Sequence, residues 1–284
     1  MANPVNKKNV TFDDIAKYTH FSKTTVSRFF NNPASLTPKN QEIIRQALID
    51  LDYKENKVAQ ILAKGKTEFV GIIVPSLHLH YFSELLNQIL QSYEKYGYKF
   101  LVFVGSENGD NEKQYIEELM SYQIEGLIVM SHTLPSKDLA ALNIPIVSVE
   151  REDTYISSVN CDNYMGAVQA VSLLQKHDCD IIIHVNTPTK PDIPAYQRIV
   201  GFQDFCKEHH IPHAIYIRPM GDSYSATSSV MEVLIEDLEK RYPDKRKGLF
   251  FADDTRANCF LNLLLRRYQT LPSSYKIIGF DNSP

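Results

Sequence analysis

Apolar residues along the chain follow two different spacings, and the spacing changes close to residue 68. Before that point they recur every three or four positions, which is typical of short amphipathic helices. Beyond it, brief runs rich in β-branched residues alternate with longer amphipathic stretches. These runs are FVGIIVP, YKFLVFV, EGLIVM, IPIVSVE, DIIIHV, KGLFFA and YKIIGF. Apolar strands that alternate with helices indicate parallel sheets covered on both faces, so the pattern predicts a small all-α headpiece and a larger α/β body.

The segment Thr11 to Asn32 predicts two short helices joined by a tight turn. Its first residue is a favourable N-cap, and Asp13 and Asp14 suit the positive end of the helix dipole. Ser22 is a second favourable N-cap, from which the second helix begins. A third amphipathic helix is predicted from about Pro38 to Leu51. Two helices joined in this way are expected to form a helix-turn-helix.

The second helix has an apolar face and a polar face. Val26 and Phe30 lie four positions apart, so we expect both to point inward. The opposite face carries two cations and two hydroxyl groups, from Lys23, Thr24, Ser27 and Arg28. Cations suit phosphates or guanine edges, and hydroxyls suit either, so this face fits the major groove of DNA. The alternative is an ordinary helical hairpin with a solvated polar face.

The charge is divided unevenly along the chain. Residues 1–66 contain eleven Lys and Arg against six Asp and Glu, whereas the remainder contains 19 against 28. A basic module on an acidic body favours nucleic-acid binding by the module alone. A solvated helical surface would not predict this difference in sign.

The α/β body has too many predicted strands for one compact dinucleotide-binding unit, so we predict two subdomains that divide near residues 159–163. Ligands in such folds bind beyond the carboxyl ends of the strands. No glycine-rich phosphate-binding motif follows any strand. No nucleophile, base and acid are suggested by spacing either, so we expect neither a cofactor nor an enzyme.

The amino-acid composition further limits the classes of protein to which the chain could belong. The chain has 43% hydrophobic and 23% charged residues, which is ordinary for a soluble globular protein. No stretch approaches the roughly 20 apolar residues of a membrane helix, and the first ten residues lack an apolar signal core, so we expect a cytoplasmic protein with no membrane partner. The four cysteines are scattered, and the close pairs of histidines lack a third ligand, so we expect neither disulfides nor a metal site.

Two motifs in the first 66 residues carry a resemblance to a known family. SKTTVSR lies in the second helix and NKVAQIL follows the third helix. At this mutual spacing they resemble the headpiece and hinge of the LacI (lactose-repressor) family. The resemblance implies that Lys23, Thr24 and Arg28 read bases. It implies that phosphates are contacted by Ser22, Thr25, Ser27 and Asn31.

The hinge is the second element that the resemblance implies. Ala59 and Leu62 match hinge-helix residues that face the minor groove, where a leucine pair wedges into a base step and kinks the operator. The alternative for Leu62 is packing on the body. The resemblance also predicts a left-handed turn at His20, where the family usually has glycine. It implies three segments, which are a headpiece (1–55), a hinge helix and linker (56–67) and an effector-binding and dimerisation body (68–284, with subdomains of about 68–160 and 161–284).

The body also resembles this family and, through it, the periplasmic sugar-binding proteins. The matching segments include IEGLIVM, IPIVSVERE, YQRIVGFQDF, LFFADDTRA and IIGFDNSP, in the family's order. The positions that match the family's effector pocket are Tyr81, Phe82, Glu150, Arg198, Asp253 and Asp281. Carboxylates accept hydroxyl hydrogen bonds, arginine donates several, and aromatic faces cover a sugar ring, so a sugar or sugar phosphate is the expected effector.

Alternatives remain at several of these positions. Tyr81 and Phe82 could belong to the hydrophobic core. Glu150 could form an ion pair with Arg151 or with Arg198. Asp253 stands where the family often has asparagine, which makes the predicted site more acidic.

These observations predict a sequence-specific DNA-binding regulator. The expected protein is a homodimeric repressor of carbohydrate-utilisation genes that binds a palindromic operator in double-stranded DNA. The family normally continues several dozen residues beyond the segment GFDNS, so we expect a body that is incomplete at its C-terminus. The alternatives are a solute-binding protein without DNA function, a regulator that binds DNA but no longer responds to an effector, and a sugar-modifying enzyme.

Overall fold

The computed structural model describes residues 10–55, 61, 65–105, 109–151 and 154–283. Within these residues the chain forms two compact units, which divide between Lys66 and Thr67. The first unit is helical, and the second contains two parallel sheets with their connecting helices. The predicted fold class, an all-α headpiece and an α/β body with two parallel-sheet subdomains, is confirmed.

In its described part, residues 10–55, the headpiece contains three helices and one 3-10 turn. They are α1 (Phe12–Thr19), α2 (Lys23–Asn31), the turn (Pro33–Ser35) and α3 (Pro38–Asp50). Thr11 caps α1 in a capping box, because its hydroxyl accepts from the amide of Asp14 while the Asp14 carboxylate accepts from the amide of Thr11 at 2.9 Å. The predicted start of α1 is therefore confirmed.

A small apolar core fixes the orientation of α2 in the headpiece. Its fully buried members come from all three helices and are Ile15, Val26, Ile44 and Ala47. The rings of Phe12 and Phe30 stack at 4.9 Å between centroids. Because Val26 and Phe30 point into this core, the polar face of α2 points to solvent, as the spacing predicts.

The first half of the body is a five-stranded parallel sheet with strand order β2-β1-β3-β4-β5. Its strands are β1 (Phe69–Val74), β2 (Lys99–Val104), β3 (Gly126–Val129), β4 (Ile146–Val149) and β5 (Ser157–Val159). The helices that connect them are α4 (His80–Gln91), α5 (Tyr93–Tyr96), α6 (Gly109–Ser121) and α7 (Ser136–Ala140). The sheet is covered on both faces, since Ile73 packs with Leu119 on one side and Ile72 packs with Phe82 and Leu86 on the other.

The second half is a four-stranded parallel sheet with strand order β7-β6-β8-β9. Its strands are β6 (Ile181–Asn186), β7 (His213–Ile217), β8 (Lys247–Phe251) and β9 (Tyr275–Ile278). Its helices are α8 (Asn163–Lys176), α9 (Gln197–Glu208), α10 (Tyr224–Arg241) and α11 (Asp254–Tyr268), and a 3-10 turn (Pro194–Tyr196) precedes α9.

Alternate residues of β6 enter two different cores. Ile181, Ile183 and Val185 pack under α10 and α11, whereas Ile182 packs under α8 and α9. All six residues of this strand are buried. Because both faces of the strand are buried, its sequence is a nearly continuous apolar run and does not alternate between apolar and polar residues.

Gly201 lets helix α9 lie directly against helix α8. A Cβ atom at this position would come within 2.5 Å of the Tyr164 carbonyl oxygen, closer than such atoms approach in proteins. The contact holds the start of α9, and with it Arg198, against the start of α8.

The parallel strands of each sheet end at the same edge, where most of the polar residues discussed below lie. The register confirms this, because β1 pairs with β3 and β6 pairs with β8 in parallel. Among the described helices, none is both long enough and apolar enough to cross a bilayer.

Candidate functional site

Helix α2 presents the predicted base-reading side chains to solvent. Ser22 caps the helix, because its hydroxyl accepts from the amide of Thr25 at 3.1 Å. The preceding turn contains His20 in the left-handed conformation, with φ of 59°. Lys23, Thr24 and Arg28 are all exposed. The turn at His20 therefore has the geometry that the resemblance predicts, although the residue is not glycine.

The other predicted DNA contacts on α2 also form local hydrogen bonds. The Ser22 and Thr25 hydroxyls lie 2.8 Å apart, and the Asn31 amide donates to the Ser27 hydroxyl at 3.1 Å. These bonds hold the side chains along one surface of the helix. A further contact, which the sequence does not reveal, joins Lys23 to Asp13 of α1 at 3.1 Å.

The hinge residues Ala59 and Leu62 lie outside the described residues, so their predicted place in the minor groove stays a prediction. The predicted division of the chain at residues 55 and 67 likewise stays a prediction.

Within the body, a cavity of about 150 Å³ lies between the two sheets. All six residues predicted to contact an effector line it, namely Tyr81, Phe82, Glu150, Arg198, Asp253 and Asp281. Glu150 follows β4, Asp253 follows β8, and Asp281 follows β9. The cleft therefore lies beyond the carboxyl ends of parallel strands, as expected for ligand sites in such folds.

A chain of polar contacts crosses this cleft from the first sheet to the second. The Glu150 carboxylate accepts from the Asn163 amide at 2.8 Å and from the backbone amide of Cys161 at 2.7 Å. The Asn163 oxygen in turn accepts from Nε of Arg198 at 2.7 Å. A further Arg198 nitrogen lies 3.4 Å from Asp281. Glu150 therefore reaches Arg198 through Asn163, a bridging residue that the sequence does not single out.

Arg198 is held on several sides although it lines the cavity. Its guanidinium donates to the Ala252 carbonyl oxygen and lies 3.7 Å from the centre of the Phe280 ring. Only 8% of the residue is exposed. A planar guanidinium fixed in this way presents its remaining N–H groups in one direction.

Asp253 has a structural part in the fold as well as a place in the cleft. It caps helix α11, because its carboxylate accepts from the amide of Arg256 at 2.9 Å. The same carboxylate forms an ion pair with the Arg256 guanidinium, and both side chains are nearly buried, at 9% and 12% exposure. The sequence alone did not indicate Arg256 as part of the site.

Tyr81 and Phe82 both line the cleft, but they differ in their contacts with the hydrophobic core. Phe82 packs against the apolar cluster that includes Ile72, so the alternative of a core role holds in part for this residue. Tyr81 meets Phe82 edge to face at 5.1 Å. Burial raises the pKa of the Tyr81 phenol well above its ordinary value, and the nearby Cys161 and Glu150 act in the same direction. The Tyr81 hydroxyl therefore stays protonated as a donor.

Two of the acidic residues that line the cleft have an unusual backbone conformation, and one of them has a shifted pKa. Glu150 has φ of 54° and Asp281 has φ of 93°, a region that L-residues seldom adopt. Burial raises the pKa of Asp281 to about 6, although Arg198 opposes the shift. Strained backbone often occurs where a fold holds binding groups in place.

Further lining residues escaped the sequence interpretation. They are Leu79, His132, Asn186, Thr187, Thr189, Ile193, Ala195, Ala252 and Arg256. Asn186 ends strand β6, so the rule that ligands lie beyond strand ends could have found it. His132 comes shortly after β3, and its Nε2 lies 2.5 Å from the Glu150 carbonyl oxygen. Among the described residues there is no cluster of three side chains suited to a metal ion.

Comparison with protein families matches both units of the chain. Residues 11–56 match the model of bacterial regulatory proteins of the lacI family. Residues 67–244 match the model that describes periplasmic binding proteins and the sugar binding domain of the LacI family. The second match alone covers more than half of the chain.

Curated relatives align along nearly the whole chain. The sucrose operon repressor of Streptococcus mutans is 30% identical over 271 residues, which cover 95% of this chain and 82% of the relative. Catabolite control protein A of the same organism is 32% identical, covering 96% and 82%. The ribose operon repressor of Halalkalibacterium halodurans is 26% identical, covering 96% and 81%.

Solved structures share the fold. The crystal structure of the lac repressor dimer bound to operator and an anti-inducer has a TM-score of 0.79 at 23% identity, covering 97% of this chain and 83% of that chain. A LacI-family regulator from Silicibacter pomeroyi has a TM-score of 0.71 at 22% identity, covering 96% and 83%.

A helix-turn-helix headpiece joined to a two-sheet body with a polar cleft defines a class of DNA-binding transcription regulators. The chain belongs to the LacI family of that class. The family membership expected from the SKTTVSR and NKVAQIL motifs is therefore confirmed.

Proposed function

We propose that this protein represses genes of carbohydrate use, that it binds an inverted-repeat operator as a homodimer, and that a small polyhydroxylated ligand in the cleft controls this binding. The observation that carries the proposal is that one cavity is lined by all six residues assigned to the effector. Those residues are separated by up to 200 positions in the sequence and meet only in the folded body, where three of them follow strands and three lie near the starts of helices. The sucrose and ribose operon repressors among the relatives support a carbohydrate ligand.

The DNA-binding part of the proposal rests on the exposed face of α2. Lys23 and Arg28 offer cations for guanine edges or phosphates, and Thr24 offers a hydroxyl. One recognition helix provides too little surface for tight specific binding, so two copies are needed on one operator. The matched lac repressor structure is described as a dimer bound to operator, which supports this arrangement.

The ligand part rests on the chemistry of the cleft. Glu150 and Asp281 supply oxygens that accept hydroxyl hydrogen bonds, and Arg198 supplies donors in a fixed fork. Tyr81 adds an aromatic ring and a protonated hydroxyl. A polyhydroxylated molecule presents both donors and acceptors around an apolar ring, so it matches this mixture better than an apolar ligand does.

The coupling between the two activities is expected to pass through the predicted hinge helix near residues 56–63. A helix of about eight residues is shorter than the roughly 12 that are marginal in isolation, so it should depend on DNA and on the partner subunit for its folding. A ligand that changes the arrangement of the subdomains then favours or disfavours the ordered hinge. The size of this effect is limited by the ligand's differential affinity for the two states.

The DNA test is selection of bound sequences from a random duplex pool. We expect an inverted repeat. Lys23→Ala and Arg28→Ala should alter the preferred bases or abolish specific binding, whereas Asn31→Ala should weaken binding to all sequences similarly, because a phosphate contact carries little base information. Selection of asymmetric sites bound by a single copy would contradict the dimer. Equal losses of Lys23→Ala and Arg28→Ala on specific and random DNA would contradict the assigned face.

The ligand test is calorimetric titration of glucose, ribose and sucrose into the wild-type protein, with operator affinity measured in parallel. At least one sugar should bind and should change operator affinity. Arg198→Ala should abolish sugar binding, and Arg198→Lys should weaken it while keeping a cation beside Asp281. Arg218→Ala removes an exposed arginine elsewhere in the same half of the body and serves as the matched control. Unfolding midpoints of all variants separate lost binding from lost structure.

The same measurements distinguish the alternatives. A sugar that binds in the absence of any DNA binding would indicate a solute-binding protein. DNA binding that no sugar affects would indicate a regulator without this effector response. Turnover of a sugar would indicate an enzyme.

A further inference from the structure

The cleft is lined by more fixed negative charges than positive ones. Three carboxylates and two guanidinium groups line it, from Glu150, Asp253, Asp281, Arg198 and Arg256. A fourth carboxylate, that of Asp254, lies next to Asp253 and accepts from the amide of Ser283 at 2.6 Å. The balance of charge is therefore unfavourable for an anionic ligand.

Both guanidinium groups are already opposed by carboxylates. Arg256 forms an ion pair with Asp253, and Arg198 lies 3.4 Å from Asp281. These ion pairs are nearly buried, since the four side chains are between 5% and 12% exposed. A charge pair away from water is weakly screened, so each carboxylate cancels much of the attraction that its arginine would exert on a phosphate.

The first turn of helix α11 likewise already binds a carboxylate. The N-terminus of a helix ordinarily attracts phosphate, because its free amides and dipole favour negative charge. Here the Asp253 carboxylate already accepts from the amide of Arg256 at 2.9 Å. An acidic side chain therefore takes the position that an anion could otherwise use, at a site where the family resemblance leads one to expect a neutral asparagine.

We infer that the Asp253–Arg256 pair acts as a charge filter, so that the cleft accepts an uncharged polyhydroxylated ligand and rejects its phosphate ester. This inference rests on the proposed function, because it specifies the ligand of the same cleft. Hydroxyl groups can use the carboxylate oxygens of Glu150 and Asp281 as acceptors without bringing in charge. A phosphate dianion brought to the same oxygens would meet like charges, which disfavour binding strongly away from water.

The test compares three sugars with their phosphate esters by calorimetry, using glucose with glucose 6-phosphate, ribose with ribose 5-phosphate and sucrose with sucrose 6-phosphate. For whichever sugar binds the wild-type protein, we expect its ester to bind at least about tenfold more weakly. Asp253→Asn keeps a residue that caps helices well but removes the charge that opposes Arg256. The ratio of the two affinities should therefore shift toward the ester in this variant, by about tenfold or more.

A control variant distinguishes the effect of freeing the Arg256 guanidinium from the effect of removing a negative charge in general. Asp254→Asn removes the same formal charge from the neighbouring position, but its carboxylate bonds to the Ser283 amide and is not the partner of Arg256. It should shift the ratio much less than Asp253→Asn does. Unfolding midpoints establish that both variants are folded.

Each outcome decides a different point. An ester that binds the wild-type protein as tightly as its parent sugar overturns the charge filter while leaving the proposed sugar control intact. Equal ratios in the wild-type protein and in Asp253→Asn, or equal shifts in both variants, overturn the role of the Asp253–Arg256 pair. If neither sugars nor esters bind, the proposed sugar control fails, and the filter fails with it.

Discussion

His184 gives the most direct test of how the cleft wall is held, because it is a buried histidine that supports a cleft residue. It lies on β6 with no exposed surface, between the rings of Phe202 and Phe250 at centroid distances of 5.3 and 4.7 Å. Its Nδ1 lies 3.0 Å from the Phe250 carbonyl oxygen, which can only accept, so Nδ1 carries the proton. Its Nε2 then accepts from the Asn186 amide at 3.3 Å.

The difference in proton uptake between the unfolded and the native state gives the expected effect of His184 on the free energy of unfolding. Burial lowers the pKa of His184 from 6.5 to about 4. As the pH falls, the unfolded chain takes up this proton near 6.5 but the native protein only near 4, so acid favours unfolding within that window. At about 1.4 kcal/mol per pH unit, His184 should lower the free energy of unfolding by about 3 kcal/mol between pH 7 and pH 4.

Asp281 acts in the opposite direction, so wild-type stability alone does not isolate His184. Its pKa is raised from 3.8 to about 6, and the native protein therefore binds this proton before the unfolded chain does. Its contribution to stability is full below pH 3.8 and is lost as the pH rises through about 6. The informative quantity is the difference between the wild-type protein and His184→Phe at each pH, from which the Asp281 contribution cancels.

His184→Phe keeps an aromatic ring between two others but leaves the Asn186 amide and the Phe250 carbonyl without their partner. We expect a loss of about 1–3 kcal/mol at pH 7. Urea unfolding at several values between pH 7.5 and 4 should show this gap closing, or reversing, as the pH falls. His177→Gln alters an exposed histidine and should follow the wild-type curve. A gap that is independent of pH would refute the assignment of His184 as a buried neutral residue.

Three further predictions concern packing and DNA binding. Gly201→Ala should destabilise the body by about 1–3 kcal/mol in urea unfolding, because the added methyl group meets the backbone of Tyr164, and an unchanged midpoint would show that the helices can separate freely. Leu62→Ala should reduce operator bending and specific affinity in an energy-transfer assay while the headpiece stays folded; an unchanged bend angle would remove the wedge interpretation. Asp13→Asn should raise affinity for random duplex DNA about two- to fivefold at low salt, because it releases Lys23 from its ion pair, and no change would mean that Asp13 does not restrain that lysine.

The headpiece could be predicted from the sequence because its determinants are local. Thr11 and Ser22 supply caps within three residues of the amides that they bind, and Val26 and Phe30 share one helix face. The left-handed turn at His20 is different, because it was expected from the family resemblance and not from the residue itself. The caps and the shared helix face are local. Such signals need no knowledge of distant residues, so they can be seen in a single sequence.

Most strands of the body were predictable because their sequences are continuous apolar runs. The seven predicted apolar runs all contain strands, but β5 and β7 were missed. Both of these lie at the edge of a sheet; β5 is exposed throughout and β7 is only half-buried. Ser157–Val159 is short and mostly polar, so it lacks the apolar run by which the other strands were found. His213–Ile217 contains the apolar run Ala-Ile-Tyr-Ile and could have been predicted in the same way.

The contacts within the cleft could be predicted from the sequence less fully than the strands, because they depend on the tertiary structure. The chemical types of Glu150, Arg198 and Asp281 are evident in the sequence, and the family resemblance indicates their positions. The pairing of Asp253 with Arg256, and the bridge that Asn163 makes between Glu150 and Arg198, are not evident there. The physical reason is that parallel strands bring their carboxyl ends to one edge regardless of their separation in sequence. The resulting distances between side chains, which set the charge of the site, exist only once both sheets have folded.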